Sequence, residues 1–310
     1  MDLFCFFLIF AGLMKQTQTH RNLVIPGSNQ KPILLDLFLP AKSKAPLLIY
    51  AHGFKGFKDW GHAEYMARFF VNYGIAFAKF NFSHNGVTQE DLLDITDPES
   101  FGHNNYSKEQ HDLGAVLDYL EQCQWRDQLE FHSLGVVGHS RGGAMAFIKA
   151  LSDNRIKKLI LWAAPFDLKS SFKLHTIQQW ISEGVVSVTN KRTQQTYPLY
   201  KQFYDDFLEN EPAFDIPSQA FKLGIPLLIL HSSDDDVVPV QNAQLYYDNV
   251  PHSVFINMEH GGHTLGANHP FDPQTNSHLK IIDEVLENTA EFLIDETVKP
   301  LVDLIGPHSI

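Results

Sequence analysis

Residues 134–151, LGVVGHSRGGAMAFIKAL, predict a strand, a sharp turn and a helix in direct succession. The apolar run before the turn is typical of a buried strand, and the small residues after it suit a helix packed closely on a sheet. The turn has the form G-x-S-x-G, in which Gly138 and Gly142 lack the side chains that would clash in a strained backbone. We therefore expect the Ser140 hydroxyl to stand above its strand. A phosphate-binding turn is the alternative, but the loop lacks the glycine spacing for it.

Short apolar runs alternate with helical patterns along the rest of the chain, which favours an α/β fold. The predicted strands cover 33–40, 46–52, 75–82, 134–138, 157–165, 225–232 and 252–258, the first of them antiparallel at the sheet edge. The predicted helices cover 62–74, 107–121, 141–151 and 279–294, and Ser107 with Gln110 has capping-box spacing at the start of the second. We expect a mostly parallel central sheet with helices on both faces.

Residues 166–224 break this alternation, because no strong central strand is predicted there. The segment is rich in aromatic residues, and a structureless connection of this length would be unusual in a compact domain. It is therefore predicted to be an inserted, largely helical cap. The alternative is an ordinary crossover helix followed by a long loop.

The N-terminal residues 3–14, LFCFFLIFAGLM, are apolar but too few for a membrane span, which needs about 20 residues. They suit the hydrophobic region of a signal peptide, but the preceding Asp2 is acidic where a signal is basic. We expect a cytoplasmic protein that starts near Met14; export by an atypical signal at residues 1–19 is the alternative.

The predicted organisation is a segment 1–20 outside the fold, a core at 21–165, the cap at 166–224 and the rest of the core at 225–310.

The composition is that of a globular protein, with 44% hydrophobic and 19% charged residues. The formal net charge of −12 argues against nucleic acid or an anionic membrane as the main partner, because both attract basic surfaces. Two cysteines, Cys5 and Cys123, are too few for a disulfide framework or for a zinc site alone. We predict a small-molecule substrate, no stable membrane span and no cofactor.

A serine nucleophile needs a base, and two histidines in MEHGGHTLGANHP compete for that role. His260 lies almost on the preceding predicted strand, whereas Gly261 and Gly262 free the backbone to turn His263 over the sheet edge. We therefore predict His263 as the base. A metal site formed by His260, His263 and His269 is disfavoured, because H-x-x-H across two glycines is not a rigid helical face.

Two backbone amides are predicted to stabilise an oxyanion on the substrate. The helix that starts after Ser140 directs the Arg141 N–H at the reacting carbonyl, and the turn AHGF places the Phe54 N–H opposite it. No metal is predicted at this site. The predicted substrate contacts are Phe54, Phe57, His84 and Phe166.

Residues 231–240, HSSDDDVVPV, contain three adjacent aspartates. Three successive side chains in an extended loop point in different directions, so they cannot all face one imidazole. Like charges also raise the cost of burying more than one of them. One of Asp234, Asp235 and Asp236 is therefore expected to orient the histidine, and the other two are expected to be solvated.

The motifs HGFKGF, GHSRGG, HSSDDDVVP and HGGH, in this order, resemble those of the α/β-hydrolase superfamily. Within it the chain is similar to cinnamoyl/feruloyl-esterase-like and dienelactone-hydrolase-related serine hydrolases over residues 30–295. The resemblance implies the chain order serine, aspartate, histidine. It also implies an acid in the pattern H-x-x-x-D-x-x-V-P, which selects Asp235, and a cap insertion at residues 166–224.

The sequence departs from some of these relatives. Dienelactone hydrolases usually carry cysteine where this chain has Ser140, and prolyl-oligopeptidase-type peptidases bring a large N-terminal propeller for which 310 residues leave no room. We predict a serine carboxylesterase that cleaves a small ester through Ser140, His263 and Asp235. A thioesterase or a small-peptide peptidase on the same fold is the alternative. A non-catalytic binding protein is disfavoured, because all triad residue types and both oxyanion turns are present.

Overall fold

The computed structural model describes residues 17–42 and 44–297. Its strands are β1 (Gln18–Pro26), β2 (Pro32–Leu39), β3 (Ala45–Ala51), β4 (Ala76–Asn81), β5 (Leu129–His139), β6 (Lys158–Trp162), β7 (Val185–Thr189), β8 (Thr196–Tyr200), β9 (Leu227–Ser232) and β10 (Ser253–Met258). Its helices are α1 (Ala63–Asn72), α2 (Pro98–Gly102), α3 (Tyr106–Gln122), α4 (Arg141–Ser152), α5 (Leu174–Glu183), α6 (Gln202–Glu209), α7 (Glu211–Phe214), α8 (Ile216–Gln219), α9 (Gln241–Asn249) and α10 (Leu279–Ile294). Short 3₁₀ turns cover Ser28–Gln30, Arg126–Gln128, Lys169–Ser171, Ala220–Lys222 and Gly262–Thr264.

Eight strands form one sheet in the order β1-β2-β4-β3-β5-β6-β9-β10. β2 is antiparallel to both of its neighbours, and every pair from β4 to β10 is parallel. The prediction of a mostly parallel sheet is confirmed. Because parallel strands end at the same edge, the loops after β3, β5, β9 and β10 meet there, which is where ligands bind in open α/β sheets.

Both faces of the sheet are covered by helices, as predicted. Leu47 and Ile49 of β3 belong to the hydrophobic cluster that contains α3, α4 and α9, whereas Leu48 and Tyr50 belong to the cluster that contains α1 and α10. This division follows from the alternation of side chains along a strand. The sheet is therefore buried on both sides, as expected for near-continuous apolar strands.

Two boundaries differ from the sequence prediction. β1 begins at Gln18, inside the segment 1–20 that was expected to lie outside the fold, and it covers β2, which is therefore not the edge strand. Its sequence QTHRNLVIP is polar because this edge strand is largely exposed, so its apolar signal is weak. The N-cap of α3 is Asn105, whose side chain accepts from the Lys108 N–H, rather than Ser107.

Residues 166–224 connect β6 to β9 and are less helical than predicted. They contain α5 to α8 together with the antiparallel hairpin β7–β8. The hairpin sequences VVSVT and TYPLY are rich in β-branched and aromatic residues, a strand preference that the aromatic content of the whole segment obscured. The boundaries of the cap stay a prediction, because one hydrophobic cluster runs through core and cap alike.

Aromatic rings attach this segment to the core. The ring of Tyr106, in α3, contacts those of Phe203 at 4.8 Å and Phe214 at 5.4 Å between centroids, in edge-to-face geometry. Phe172 packs on Phe207 at 4.7 Å. Hydrogen bonds add to this packing: the Gln202 side chain accepts from Asn105 Nδ2 and donates to the Asn104 carbonyl, both at 2.8 Å. Packing and hydrogen bonds therefore both join the segment to the core.

Within residues 17–42 and 44–297, none of the helices is long and apolar enough to cross a membrane. The apolar segment 3–14 lies outside the described residues, so the predictions about a signal, a start near Met14 and the compartment stay predictions.

Candidate catalytic site

Ser140 occupies the strained turn between β5 and α4 that the motif predicts. Its φ is 54° and its ψ is −126°, and its N–H donates to the Trp162 carbonyl at 2.8 Å. A Cβ at Gly138 would lie 2.4 Å from the Gly142 carbonyl oxygen, and one at Gly142 would lie 2.3 Å from the Ala51 carbonyl oxygen. Both glycines are therefore required by contact with backbone atoms that cannot move aside.

Ser140, His263 and Asp235 form one hydrogen-bonded chain. His263 Nε2 is 3.0 Å from Ser140 Oγ, and His263 Nδ1 is 2.9 Å from Asp235 Oδ2. The carboxylate can only accept, so Nδ1 carries the proton and Nε2 is free to accept one from the serine hydroxyl. The competing His260 is exposed, and its Nδ1 lies 3.7 Å from Asp234 instead.

Asp235 is buried and four N–H groups surround its carboxylate. Its Oδ1 accepts from the Val237 and Val238 N–H groups at 2.8 and 2.9 Å. Its Oδ2 faces His263 and also lies 3.2 Å from His231 Nε2, which donates at 2.7 Å to the Val238 carbonyl. Burial opposes the charged form, but the hydrogen bonds from His231 and His263 outweigh it and hold the Asp235 pKa below its usual range. This carboxylate is therefore ionised and can stabilise a protonated His263.

The structure gives the two neighbouring aspartates different surroundings. Asp236 is exposed, as expected. Asp234 is also half exposed, but its Oδ1 accepts from the Gly262 N–H at 2.8 Å and from Ser232 Oγ at 2.6 Å. The Ser232 hydroxyl and then the Gly262 amide lower the pKa of Asp234. Asp234 thus anchors the loop that carries the histidine, a role that its position in an acidic run did not indicate.

The peptide between Gly53 and Phe54 has a fixed orientation beside Ser140. Its carbonyl accepts from His52 Nδ1 at 2.9 Å and from the Gly56 N–H at 3.0 Å. Because the peptide is planar and trans, the Phe54 N–H points the opposite way. A Cβ at Gly53 would be 3.0 Å from Ser140 Cβ, so this peptide lies directly against the serine.

His52 is held in one tautomer by its surroundings. Its Nε2 accepts from the Phe82 N–H at 3.3 Å, which leaves Nδ1 as the donor to Gly53. Burial lowers the His52 pKa to about 4, so the ring is neutral near pH 7. Sequence reasoning used this residue only as part of a turn. The signal that could have identified it was a histidine immediately before the glycine of the turn.

The second predicted oxyanion donor is the Arg141 N–H. It belongs to the first turn of α4, where backbone N–H groups have no partner within the helix. Within the described residues the Phe54 N–H has no hydrogen-bond partner either. Two free amides therefore flank Ser140, as an oxyanion site needs.

His139 is a further residue that sequence reasoning missed. Its Nε2 is 2.8 Å from the His263 carbonyl oxygen and donates to it. Burial first, and then the neighbouring His263, lower its pKa to about 3, so the ring is neutral. His139 therefore joins the serine turn to the histidine loop. His139 is the first x of the G-x-S-x-G motif, a position that predicts no such contact.

Three of the four predicted substrate contacts are almost fully buried, and their contact with a substrate stays a prediction. Phe57 is 2% exposed and packs on the His269 ring, and His84 is 3% exposed beside Ser83. Phe166 is 4% exposed and packs edge-on against Tyr246. Position near a strand end indicated that they are close to the site, but not which way each side chain points. Phe54 is the exception, being partly exposed beside Ser140.

Among residues 17–42 and 44–297, no three His, Cys, Asp or Glu side chains come together as a metal site would require. His269, one of the three histidines considered for a metal, accepts the Gly61 N–H at 2.8 Å and stacks on Trp60. Its ring is therefore used in packing the loop that follows His263.

A family model described as the prolyl oligopeptidase family matches residues 99–270, more than half of the chain. This range includes Ser140, Asp235 and His263. No curated protein matches the sequence.

Solved structures with this fold include hydrolases of several kinds. A putative hydrolase from Agrobacterium vitis S4 is 19% identical, with a TM-score of 0.68 and coverage of 90% of this chain and 99% of that one. Est1E from Butyrivibrio proteoclasticus, with ferulic acid bound, is 17% identical, with a TM-score of 0.64 and coverage of 88% and 99%. Dienelactone hydrolase from Anabaena variabilis ATCC 29413 is 13% identical, with a TM-score of 0.60 and coverage of 90% and 98%.

At these identities the structural likeness establishes the fold and not the substrate. The family model rests on sequence and covers the loops that carry all three candidate catalytic residues. The chain belongs to the prolyl oligopeptidase family of hydrolases and has the α/β-hydrolase fold.

Proposed function

We propose that the protein is a serine hydrolase that cleaves a small carboxylic ester through an acyl-enzyme intermediate. The observation that carries the proposal is the continuous hydrogen-bonded chain from Asp235 through His263 to Ser140. The nucleophile has a base, the base has an orienting carboxylate, and two free amides face the same serine.

The proposed reaction begins when Ser140 Oγ attacks the ester carbonyl carbon and His263 Nε2 takes the hydroxyl proton. The Phe54 and Arg141 amides donate to the oxyanion that forms. His263 then gives its proton to the departing alcohol as the C–O bond breaks. Water attacks the acyl group with His263 again as base, and the proton returns to Ser140 as the acid leaves. Loss of one oxyanion donor typically lowers turnover about 10²- to 10³-fold.

A small-peptide peptidase is the second candidate, and the prolyl oligopeptidase family match favours it. The same triad can cleave an amide, but a less reactive carbonyl and a poorer leaving group raise the barrier. The ester is preferred because the solved structures that share this fold include an esterase domain from Rhodothermus marinus and Est1E with ferulic acid bound.

The test measures how fast the purified full chain hydrolyses a panel of substrates. The panel contains short-chain, long-chain and hydroxycinnamate 4-nitrophenyl esters, an acyl thioester, and aminoacyl and prolyl 4-nitroanilides. We expect the short or hydroxycinnamate esters to have the highest kcat/KM, and Ser140→Ala to abolish their turnover. Cleavage of the anilides alone would replace the esterase by the peptidase, and preference for the thioester would replace it by a thioesterase. Turnover unaffected by Ser140→Ala would refute the assigned nucleophile.

A further inference from the structure

The side chain of Arg141 lies next to the candidate nucleophile and has an unusual set of contacts. Its Nη1 lies 3.4 Å from Glu109 Oε1, and within the described residues no other hydrogen-bond acceptor contacts the guanidinium. The side chain keeps 12% of its surface exposed, and Nε and Nη2 are not among the buried atoms without a partner. Donor nitrogens of this guanidinium therefore face solvent.

Aromatic rings hold the guanidinium in place. Its Cζ lies 3.9 Å from the centroid of Phe54, 4.9 Å from that of Phe203 and 5.4 Å from that of Tyr106. Phe54 itself stacks on Phe101 at 5.3 Å. A guanidinium fixed on ring faces loses little freedom when it binds a ligand. The Arg141 guanidinium also lies beside Phe54, whose backbone amide is one of the two proposed oxyanion donors.

A second cation lies over the same ring. Lys55 Nζ is 5.8 Å from the centroid of Phe54, and φ of Lys55 is 62°, in the left-handed region that is unfavourable for a lysine. In the described part of the chain Lys55 contacts no carboxylate, and its Nζ donates only to the Thr189 carbonyl at 3.3 Å. Burial, Lys191 and Arg141 lower its pKa, as expected for a cation among cations.

Glu109 compensates the positive charge of Arg141 only in part. It is 3% exposed, and its Oε1 is shared between Arg141 and Asn104, whose Nδ2 donates at 2.7 Å. Its Oε2 is buried and has no partner among the described residues. Burial raises the Glu109 pKa, against the effect of Arg141. Arg141 therefore has one acid partner, at 3.4 Å, and Lys55 has none among the described residues, in a chain whose net charge is −12.

We propose that the substrate is an ester that also carries a carboxylate, which the Arg141 guanidinium binds with Lys55 beside it. The planar guanidinium matches a carboxylate and can donate two parallel hydrogen bonds to it. A carboxylate site without its ligand needs free donors, rigid support for the cation and an incomplete counter-charge, and Arg141 has all three. This proposal rests on the proposed esterase activity and names its substrate class.

The experiment compares esters that differ only in charge. One pair is 4-nitrophenyl hemiglutarate and 4-nitrophenyl valerate, which places the carboxylate on the acyl side. The other pair is 4-acetoxybenzoate and its methyl ester, which places it on the alcohol side. We expect one pair to show a kcat/KM ratio, anionic over neutral, of about 10 to 100, as for a charge-assisted hydrogen bond in a partly buried site. The ratio should fall as ionic strength rises.

The ratio is then measured in variants. Arg141→Gln should bring it close to one, Arg141→Lys should retain part of it, and Lys55→Gln should lower it by a smaller factor. A ratio cancels any general loss of turnover, which matters because the Arg141 amide is part of the proposed catalytic site. The matched control is Arg68→Gln, a 75% exposed arginine of α1, which should leave the ratio unchanged.

Equal turnover of the neutral and anionic esters in the wild type would overturn the proposal. So would a preference for the anionic ester that survives in both Arg141→Gln and Lys55→Gln. If Arg141→Gln does not fold, the Lys55→Gln ratio and inhibition of the wild type by glutarate against glutaramide decide instead. Glutarate should inhibit at least tenfold more strongly, and equal inhibition refutes the site. If the wild type hydrolyses none of the four esters, the result counts against the proposed esterase activity instead.

Discussion

The loops at the carboxyl edge of the sheet and the segment 166–224, the predicted cap, differ in what their contacts fix. At the edge, Asp235, Asp234 and His52 each fix a named backbone group by hydrogen bonds of 2.8 to 2.9 Å. The cap is joined to the core by aromatic packing and by hydrogen bonds such as those of Gln202 with Asn104 and Asn105. It exposes large apolar side chains, such as Leu174 at 70% and Ile181 at 68%. Directed hydrogen bonds set positions, whereas packing mainly contributes free energy of unfolding. Substitutions at the edge should therefore change turnover, and substitutions in the cap should change stability.

The largest effect is expected at Asp235. Asp235→Asn keeps an oxygen for the Val237 and Val238 amides but removes the negative charge that orients and stabilises protonated His263. We expect kcat to fall by up to about 10⁴-fold. The melting temperature should change little. Steady-state kinetics on a neutral 4-nitrophenyl ester, with thermal unfolding in parallel, measures both.

The neighbouring aspartates are the matched controls. Asp236→Asn should have little effect, because that side chain is exposed. Asp234→Ala should lower kcat about tenfold, because it removes a hydrogen bond worth on the order of 1.5–3 kcal/mol from the histidine loop, of which part is replaced by water. An equal loss at Asp235 and Asp236 would mean that the wrong carboxylate has been assigned to the triad.

The effect expected at His52 lies between those at Asp235 and Asp234. His52→Phe keeps an aromatic ring and removes the Nδ1 donor that fixes the Gly53 carbonyl. We expect kcat to fall by about 10²-fold, at the lower end of the cost of losing a whole oxyanion donor, with KM almost unchanged. His52→Asn should recover much of the activity, since its amide nitrogen can replace Nδ1. If both variants lose activity equally, His52 has a packing role only.

The smallest effect on turnover is expected in the cap. Phe207 is 2% exposed and packs on Phe172, so Phe207→Ala should lower the free energy of unfolding by about 3–5 kcal/mol. At a temperature where the variant stays folded, kcat on a short ester should change less than fivefold. The control is Leu208→Ala, whose side chain is 47% exposed and should cost little. A large loss of turnover in Phe207→Ala without a loss of stability would contradict the proposed difference between edge and cap.

Much of the edge could be predicted from the sequence because its constraints are local. Only glycine fits at positions 138 and 142. Asp235, in contrast, was selected among three aspartates by the pattern that the resemblance to α/β-hydrolases implies. The parallel sheet followed from continuous apolar runs. Local patterns of this kind survive in a single sequence, and they indicated the serine and the base; the choice of acid needed the family pattern.

Features that depend on contacts between distant residues could not be predicted. The bond from His139 to the His263 carbonyl joins residues 124 positions apart, and the stack of Arg141 on Phe203 joins the core to the cap. The hairpin at 185–200 was missed because its strand preference competes with the aromatic content around it. The directions of Phe57 and Phe166 depend on packing that no local pattern encodes.

The most direct test of the central claim is mass spectrometry of the full chain after treatment with a fluorophosphonate. The account predicts one adduct per chain, located at Ser140 by peptide mapping and absent from Ser140→Ala. Asp235→Asn should label far more slowly than Asp236→Asn, since the reagent needs the activated hydroxyl. An unmodified wild-type protein, or an adduct that persists in Ser140→Ala, would contradict the assignment of Ser140 as the nucleophile.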